Sequence, residues 1–239
     1  MKIWGNIAAC LFVLCFPLLL LSSNIRFEVS EIRLYEYGFD KYNIAEATGL
    51  QKSDLTKAAR GLIDYFNGSE DSPQVHVTED GKEVDLFNLR EVLHLRDVKS
   101  LIQLSYKVQW ITLAYILVYV ISGFIMLGRA FLRQLMQVLV LGSVFTLGLL
   151  AFFGLWAGID FNGLFLTFHW VSFSNDLYFL DPSEDYLMMM FPEGFFVDAA
   201  LLLIGSTVAQ ALFMGGGAWI YRKSITSGHS GNASSLWPD

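Results

Sequence analysis

Residues 138–159 read VLVLGSVFTLGLLAFFGLWAGI, a run without a single charged side chain. A helix rises about 1.5 Å per residue, so a run of this length matches the roughly 30 Å hydrocarbon core of a bilayer. Residues 3–21, 108–128 and 199–220 are equally free of charge. These four runs account for the 54% hydrophobic content and the mean hydropathy of +0.46 in a chain of 239 residues. Both values are foreign to a soluble domain of that size. The fold class expected is a membrane protein with four transmembrane α-helices and a small external α+β cap domain.

The first run is read as a retained anchor. Its apolar stretch exceeds the usual 7–15 residues of a signal peptide, and Ser22-Ser23-Asn24 follows it without a small-residue cleavage pattern. Ile7-Ala8-Ala9-Cys10 looks like a lipoprotein processing box but comes before the apolar run it would have to follow. Lysine and arginine set the orientation. Lys2, the Arg129 and Arg133 pair, and Arg222-Lys223 mark the cytoplasmic side, whereas residues 160–198 hold seven acids and no basic residue. The expected organisation is a first transmembrane helix over 1–23, an external α+β domain over 24–107, and transmembrane helices over 108–128 and 138–159. An external segment over 160–198 completes the site, a fourth helix occupies 199–221, and a disordered cytoplasmic tail follows over 224–239.

Inside the external domain, Leu55, Ala58, Ala59, Leu62, Ile63 and Phe66 recur at helical spacing before Asn67-Gly68 stops the helix. A shorter helix is expected over 43–48, and a hairpin of residues 74–78 and 83–87 around Asp80-Gly81. Asn88 and Glu91 form a capping box that starts a helix toward the second span, with Phe87 and Val92 as the staple. In the second external segment Asp160 caps a stripe of Phe161, Leu164, Phe165 and Phe168. Asp181-Pro182-Ser183-Glu184 then reads as the start of a helix reaching about Met190.

Both cysteines, Cys10 and Cys15, lie in the first run, so the external domain folds without disulfides. A net charge of −7 with no basic patch excludes a nucleic-acid partner. Of the four histidines, His76 reads as a surface strand residue and His229 as part of the tail. His94 and His169 belong to separate external segments on one side of the membrane, each near acids. Asp97, three residues after His94, shares its helix face and can orient the imidazole. The residues alone leave three readings open: an acid/base pair, a mixed metal site of His94, Asp97, His169 and Asp176, or buried structural histidines. The metal reading lacks any recognised ligand spacing. Ser172 and Ser174 lack the surroundings of a serine nucleophile.

Two motifs narrow the choice. Leu86-Phe87-Asn88-x-Arg90-Glu91-x-x-His94-x-x-Asp97-Val98-Lys99 is the first. The second is Phe168-His169-x-x-x-Phe173-Ser174-Asn175-Asp176-Leu177-x-x-Leu180-Asp181-Pro182. As a pair they resemble a family of four-helix bacterial integral membrane proteins that includes the lipoprotein intramolecular transacylase. The resemblance covers most of the chain and ends near Lys223. It implies transfer of the sn-2 acyl chain of an S-diacylglyceryl-cysteine onto that cysteine's own α-amine, giving an N-acyl, lyso-form lipoprotein. It implies diacylated bacterial lipoproteins and membrane lipid as partners, the outer face of the cytoplasmic membrane as location, and His94 and His169 as catalytic pair. No cofactor or metal is expected.

The expected division of labour gives His169 the role of base and His94 that of acid or oxyanion partner. Asp97 and Asp176 orient them, and the Asn175 side chain serves as an oxyanion donor. A lipid or lipoprotein ester hydrolase, and a non-catalytic membrane partner, are the alternative functions. If the helix from Asn88 ran straight to Val108, His94 would stand on the order of 20 Å above that point. A break between Ser100 and Lys107 is therefore expected, with residues 88–101 along the membrane surface.

Overall fold

The computed structural model describes residues 2–73, 75–79 and 82–230. Nine α-helices and one two-stranded sheet occur among the described residues. Three helical stretches among these residues are long and apolar enough to cross a membrane: Gly5–Ser30, Leu89–Ile159 and Glu193–Ser224. The middle one is interrupted, since α5 (Leu89–Leu127) and α6 (Phe131–Ile159) are joined by a single 3₁₀ turn, Gly128–Ala130. Gly128 sits at φ +56°, which a glycine adopts without steric cost. This three-residue turn is shorter than the connection expected from the sequence, because α6 begins before its uncharged run does.

The chain divides into two compact units, one formed by Met1–Ser22, Val108–Gly154 and Ile204–Asp239, the other by Ser23–Lys107 and Leu155–Leu203. The first unit packs around Phe12, Phe16 and Leu20 of α1 (Lys2–Ser30), Tyr119 of α5, Phe131, Leu135 and Val138 of α6, and Ala211 of α9 (Glu193–Ser230). Two tyrosines of α5 make polar contacts with neighbouring helices of this unit. Tyr115 donates to the Ala8 carbonyl at 2.7 Å, and Gln134 donates to the Tyr119 hydroxyl at 3.1 Å. α9 continues to Ser230, so the expected disordered tail is helical at its start, and residues 231–239 lie outside the described residues.

The second unit holds α2 (Ile32–Lys41), α3 (Ile44–Thr48), α4 (Lys52–Asn67), the hairpin β1 (His76–Glu79) and β2 (Lys82–Asp85), α7 (Phe161–Ser172) and α8 (Tyr186–Met190). The stripe read on α4 is its buried face, and the Gly68 N–H closes the last turn on the Asp64 carbonyl at 2.7 Å. The hairpin pairs His76 with Asp85 in antiparallel register, and the two side chains meet at 2.7 Å. Gln74, Asp80 and Gly81 of the expected hairpin lie outside the described residues. No element is expected from the sequence between Asn24 and Asn43, yet α1 runs to Ser30 and α2 follows. Only Tyr35, Gly38 and Phe39 of α2 are buried, too short a stripe to read with assurance. Tyr35, Phe39, Leu55, Leu62, Phe66, Leu95, Met190 and Phe191 form one core with the hairpin.

The start of α5 follows its capping box. The Asn88 side-chain oxygen accepts from Arg90 N at 2.9 Å and Glu91 N at 3.1 Å, while Glu91 accepts from Asn88 N at 2.7 Å. Glu91 is only 1% exposed. Its other oxygen takes the Leu187 N–H at 2.6 Å, and Asn88 donates to buried Asp185 at 2.6 Å. Two sequence expectations change here. Asp181 does not start a helix: it accepts from the N–H and hydroxyl of Ser183 and closes a local turn, and α8 begins only after Asp185. The Asp185 carboxylate, engaged by Asn88 and by the Asp181 N–H at 2.6 Å, holds the chain in that turn. Nor does α5 break between Ser100 and Lys107. With no Gly, Pro or inserted turn, the hydrogen-bond ladder continues unbroken.

Glu91→Gln keeps the size of the side chain but faces one of the two N–H donors with an amide N–H. It should lower the stability of the second unit by about 1–3 kcal/mol, the cost of an unsatisfied buried donor, read as a lower thermal unfolding midpoint in detergent.

Candidate functional site

His94 lies in the second turn of α5 and His169 in the last turn of α7, both within the second unit. Their rings are 6.0 Å apart between centroids and inclined by 28°. Helical phase explains each placement. Leu95 is buried in the core one position after His94, which turns the imidazole off the core edge toward α7. Phe165 is one turn before His169 and meets its ring edge-on at 4.4 Å.

An aromatic wall surrounds the pair. Phe173 stands 5.4 Å from His94 and 5.7 Å from His169, and Phe168 and Tyr178 lie 5.4 and 5.1 Å from His169. These rings remove water from both imidazoles and penalise their charged forms. Burial pushes the His94 pKa down to about 4; His169 adds to the depression and Asp97 opposes it. Burial also lowers the pKa of His169, against the pull of the Phe165 carbonyl. Both rings are therefore neutral at pH 7.

The tautomer of His169 follows from its partner. Nδ1 is 2.7 Å from the Phe165 carbonyl oxygen, which can only accept, so Nδ1 carries the proton and Nε2 holds the free lone pair. His94 is 7% exposed, and its Nδ1 is buried without a hydrogen-bond partner. Such a group is costly in a folded protein and recurs where a ligand will complete the bond.

The supporting residues take particular positions. Asn175 donates to the Asp97 carboxylate at 2.8 Å, and its side-chain oxygen accepts from Leu177 N at 3.1 Å. The amide thus ties the loop after α7 to α5, one turn beyond His94. Asp97 acts on His94 through its charge, while its hydrogen bond goes to Asn175. Asp176 takes part through its backbone: its carbonyl accepts from the Arg90 guanidinium at 2.7 Å. Arg90 was not singled out by sequence reasoning, although it lies within the first motif. Nor were Phe173 and Tyr178, whose aromatic character in a loop gives no periodic signal.

A helical protein with apolar, membrane-length helices and a pair of neutral, aromatic-walled histidines defines a class of integral membrane protein with acid/base capacity. The chain belongs to the family described as lipoprotein intramolecular transacylase Lit, whose model matches residues 10–196. It is therefore an acyltransferase that moves an acyl group within a lipoprotein. Among solved structures, the membrane integral lipoprotein intramolecular transacylase Lit from Bacillus cereus aligns with TM-score 0.74 at 18% identity, covering 96% of this chain and 100% of the other. A histidine-to-arginine variant from the same organism gives 0.75 at 19% identity, covering 95% of this chain and 96% of its own. A histidine-to-alanine variant gives 0.74 at 21%, covering 95% and 97%. At these identities the likeness speaks for the fold. No curated protein matches the chain in sequence.

The depressed pKa of His94 carries a stability consequence with a definite sign. Between an unfolded value near 6.5 and the folded value of about 4, the unfolded state binds the extra proton. Stability contributed by neutral His94 is complete above pH 6.5 and is lost as pH falls toward 4. The slope of unfolding midpoint against pH in that window should be shallower in His94→Phe than in the wild type, measured by thermal melts side by side.

Proposed function

We propose that His94 and His169 carry the acyl shift directly, on an S-diacylglyceryl-cysteine whose own α-amine is the nucleophile. The observation that supports this reading most is the pairing itself: two imidazoles 6.0 Å apart, one with a defined free lone pair and the other with a buried unpartnered nitrogen. The substrate amine, with an ordinary pKa of about 7.7–8.0, is partly neutral at pH 7 and needs only its second proton removed as it attacks. Nε2 of His169 takes that proton as the new C–N bond forms at the sn-2 ester carbonyl. The same imidazolium then delivers it to the sn-2 glycerol oxygen as the C–O bond breaks, leaving an N-acyl chain and a free hydroxyl.

His94, neutral and desolvated, donates an N–H to the carbonyl oxygen as it becomes negative. One such donor is commonly worth about 3–4 kcal/mol in the transition state. A neutral imidazole suits this role because it is a weaker acid than an imidazolium, so it stabilises charge without surrendering its proton. Arg90 and Asn175 hold the loop that carries Phe173 and Tyr178 against the pair. Amine and ester belong to one bound molecule, which supplies the proximity otherwise paid in entropy. No protein nucleophile is then required, in keeping with a site built without serine or cysteine.

In the membrane, α1, the part of α5 from Val108 onward, α6 and α9 each cross once, and residues 24–107 and 160–198 face outward. Basic residues at Lys2, Arg129, Arg133, Arg222 and Lys223 favour cytoplasmic termini, and the acidic second segment favours a site at the outer leaflet. Diacylated lipoproteins of the cytoplasmic membrane are the substrates.

Alanine at His94 or His169 should each reduce conversion by on the order of 10²–10⁴-fold, with insertion unchanged, as read by mass spectrometry of lipoproteins from expressing cells. Full production of N-acyl lyso-form by either variant would refute the assignment, and loss of an acyl chain without N-acylation would mean hydrolysis instead. The rate should also climb with pH along the amine titration, with any imidazole limb lying below the ordinary histidine value of about 6.5, because burial lowers the pKa of both rings.

A further inference from the structure

α7 stands apart from the other helices of the second unit. Seven of its twelve residues are apolar, it carries no charged side chain, and none of its residues is buried. Leu166, Phe168, Trp170 and Val171 are 50%, 46%, 76% and 77% exposed. Leu155 and Ile159 at the end of α6 are 69% and 85% exposed, and Phe179 beyond α7 is 57% exposed. Exposed apolar side chains therefore recur from the last turn of a membrane-length helix, along α7, into the loop that walls His169.

The helix is firmly held despite that exposure. Asp160 caps it through the Gly163 N–H at 2.8 Å, and Phe165 packs against Phe196 at a centroid distance of 4.7 Å, the rings tilted by 37°. Only one side of α7, that of Phe165 and His169, is thus tied to protein. At 100° per residue, Leu166 and Trp170 share a face that points away from Phe165. The segment from 160 to 198 contains no lysine or arginine. The attraction available to this face is therefore hydrophobic rather than ionic, and tryptophan is the side chain most enriched where hydrocarbon meets headgroup.

We infer that α7 is an interfacial helix whose partner is the lipid bilayer itself, with Leu166, Trp170 and Val171 seated among the acyl chains of one leaflet. Continuity with the exposed end of α6 argues for lipid over a protein partner. Asp160, which caps the helix, and Asp176, in the loop after it, are exposed and remain toward water and headgroups. Seated in this way, α7 holds His169 at the depth of a glycerol ester. The inference rests on the membrane-integral class and not on the catalytic roles of the histidines, because depth can be measured without turnover.

The test uses a nitroxide at Val171→Cys in full-length protein lacking its native thiols (Cys10→Ser, Cys15→Ser), reconstituted in phosphatidylcholine–phosphatidylglycerol vesicles. A lipid-seated label is more accessible to oxygen than to a water-soluble nickel chelate, whereas a label at exposed Glu184→Cys should show the reverse order. Nickel access at Val171→Cys equal to that at Glu184→Cys would overturn the inference. Low access to both reagents would also overturn it, since a protein or a second copy of the chain would then cover the face. An unlabelled check compares quenching by brominated lipid in wild type and Trp170→Phe: the variant should lose a lipid-quenched share of the emission, and no difference would count against the proposal.

Discussion

The buried carboxylate of Glu91 is the interaction on which the site depends. One of its oxygens accepts the N–H that opens α5, and the other accepts the N–H of Leu187, 96 residues later in the chain. Burial raises the pKa of this acid, while the two backbone donors oppose the rise. The ionised form is tolerated because both oxygens are satisfied. Asn88 to Asp185 repeats the same connection one step away. Together these bonds fix the segment after α7 to the first turn of α5. Arg90 and Asp97, on the same helix, then grip that segment again through Asp176 and Asn175. His94 falls between the two grips, so its distance to His169 is set by four hydrogen bonds rather than by the flexibility of a loop.

With the pair held in place, the aromatic wall decides its chemistry. A solvated imidazole, with its ordinary pKa near 6.5, would be partly cationic in neutral water. Phe165, Phe168, Phe173 and Tyr178 remove that choice by desolvation. The neutral form of His169, with its lone pair on Nε2, is thereby favoured. Desolvation costs intrinsic basicity, yet it also strengthens each hydrogen bond made within the site. An unpartnered nitrogen on His94 is the remaining cost, consistent with a group awaiting an oxygen from outside the protein.

The sequence disclosed those parts of this arrangement that depend on local periodicity. The stripes of α4 and α7, the capping box at Asn88 and the uncharged runs are all short-range patterns, and each has its counterpart in the structure. The two histidines were legible as residue types, but their meeting was not, since it depends on pairings such as Glu91 with Leu187 that no local pattern encodes. Asp97 and Asp176 show the limit clearly. Both lie beside the histidines in sequence, yet one spends its hydrogen bond on Asn175 and the other contributes a backbone carbonyl. Asp181-Pro182-Ser183-Glu184 carried every local mark of a helix start and forms a turn, because a contact from Asn88 to Asp185 outweighs a propensity worth tenths of a kilocalorie.

The unbroken α5 reverses the geometric reasoning about depth. A bend was expected because a straight helix carries His94 far above the first uncharged residue of its span, where no ester would reach it. The helix is continuous through that region, and His169 still meets His94. Residues 89–107 of α5 include Lys99, which donates to the Glu70 carbonyl at 2.5 Å and lies 4.2 Å from the Tyr65 ring centre, and Gln103, which donates to the Gly68 carbonyl at 3.4 Å. These contacts tie one face of the helix to the loop after α4, while Leu89, Leu93 and Leu104 stay exposed. α7 has no such cover, and it carries the histidine with the free lone pair. The short apolar helix thus presents His169, and the long one supplies the neighbour against which it is positioned.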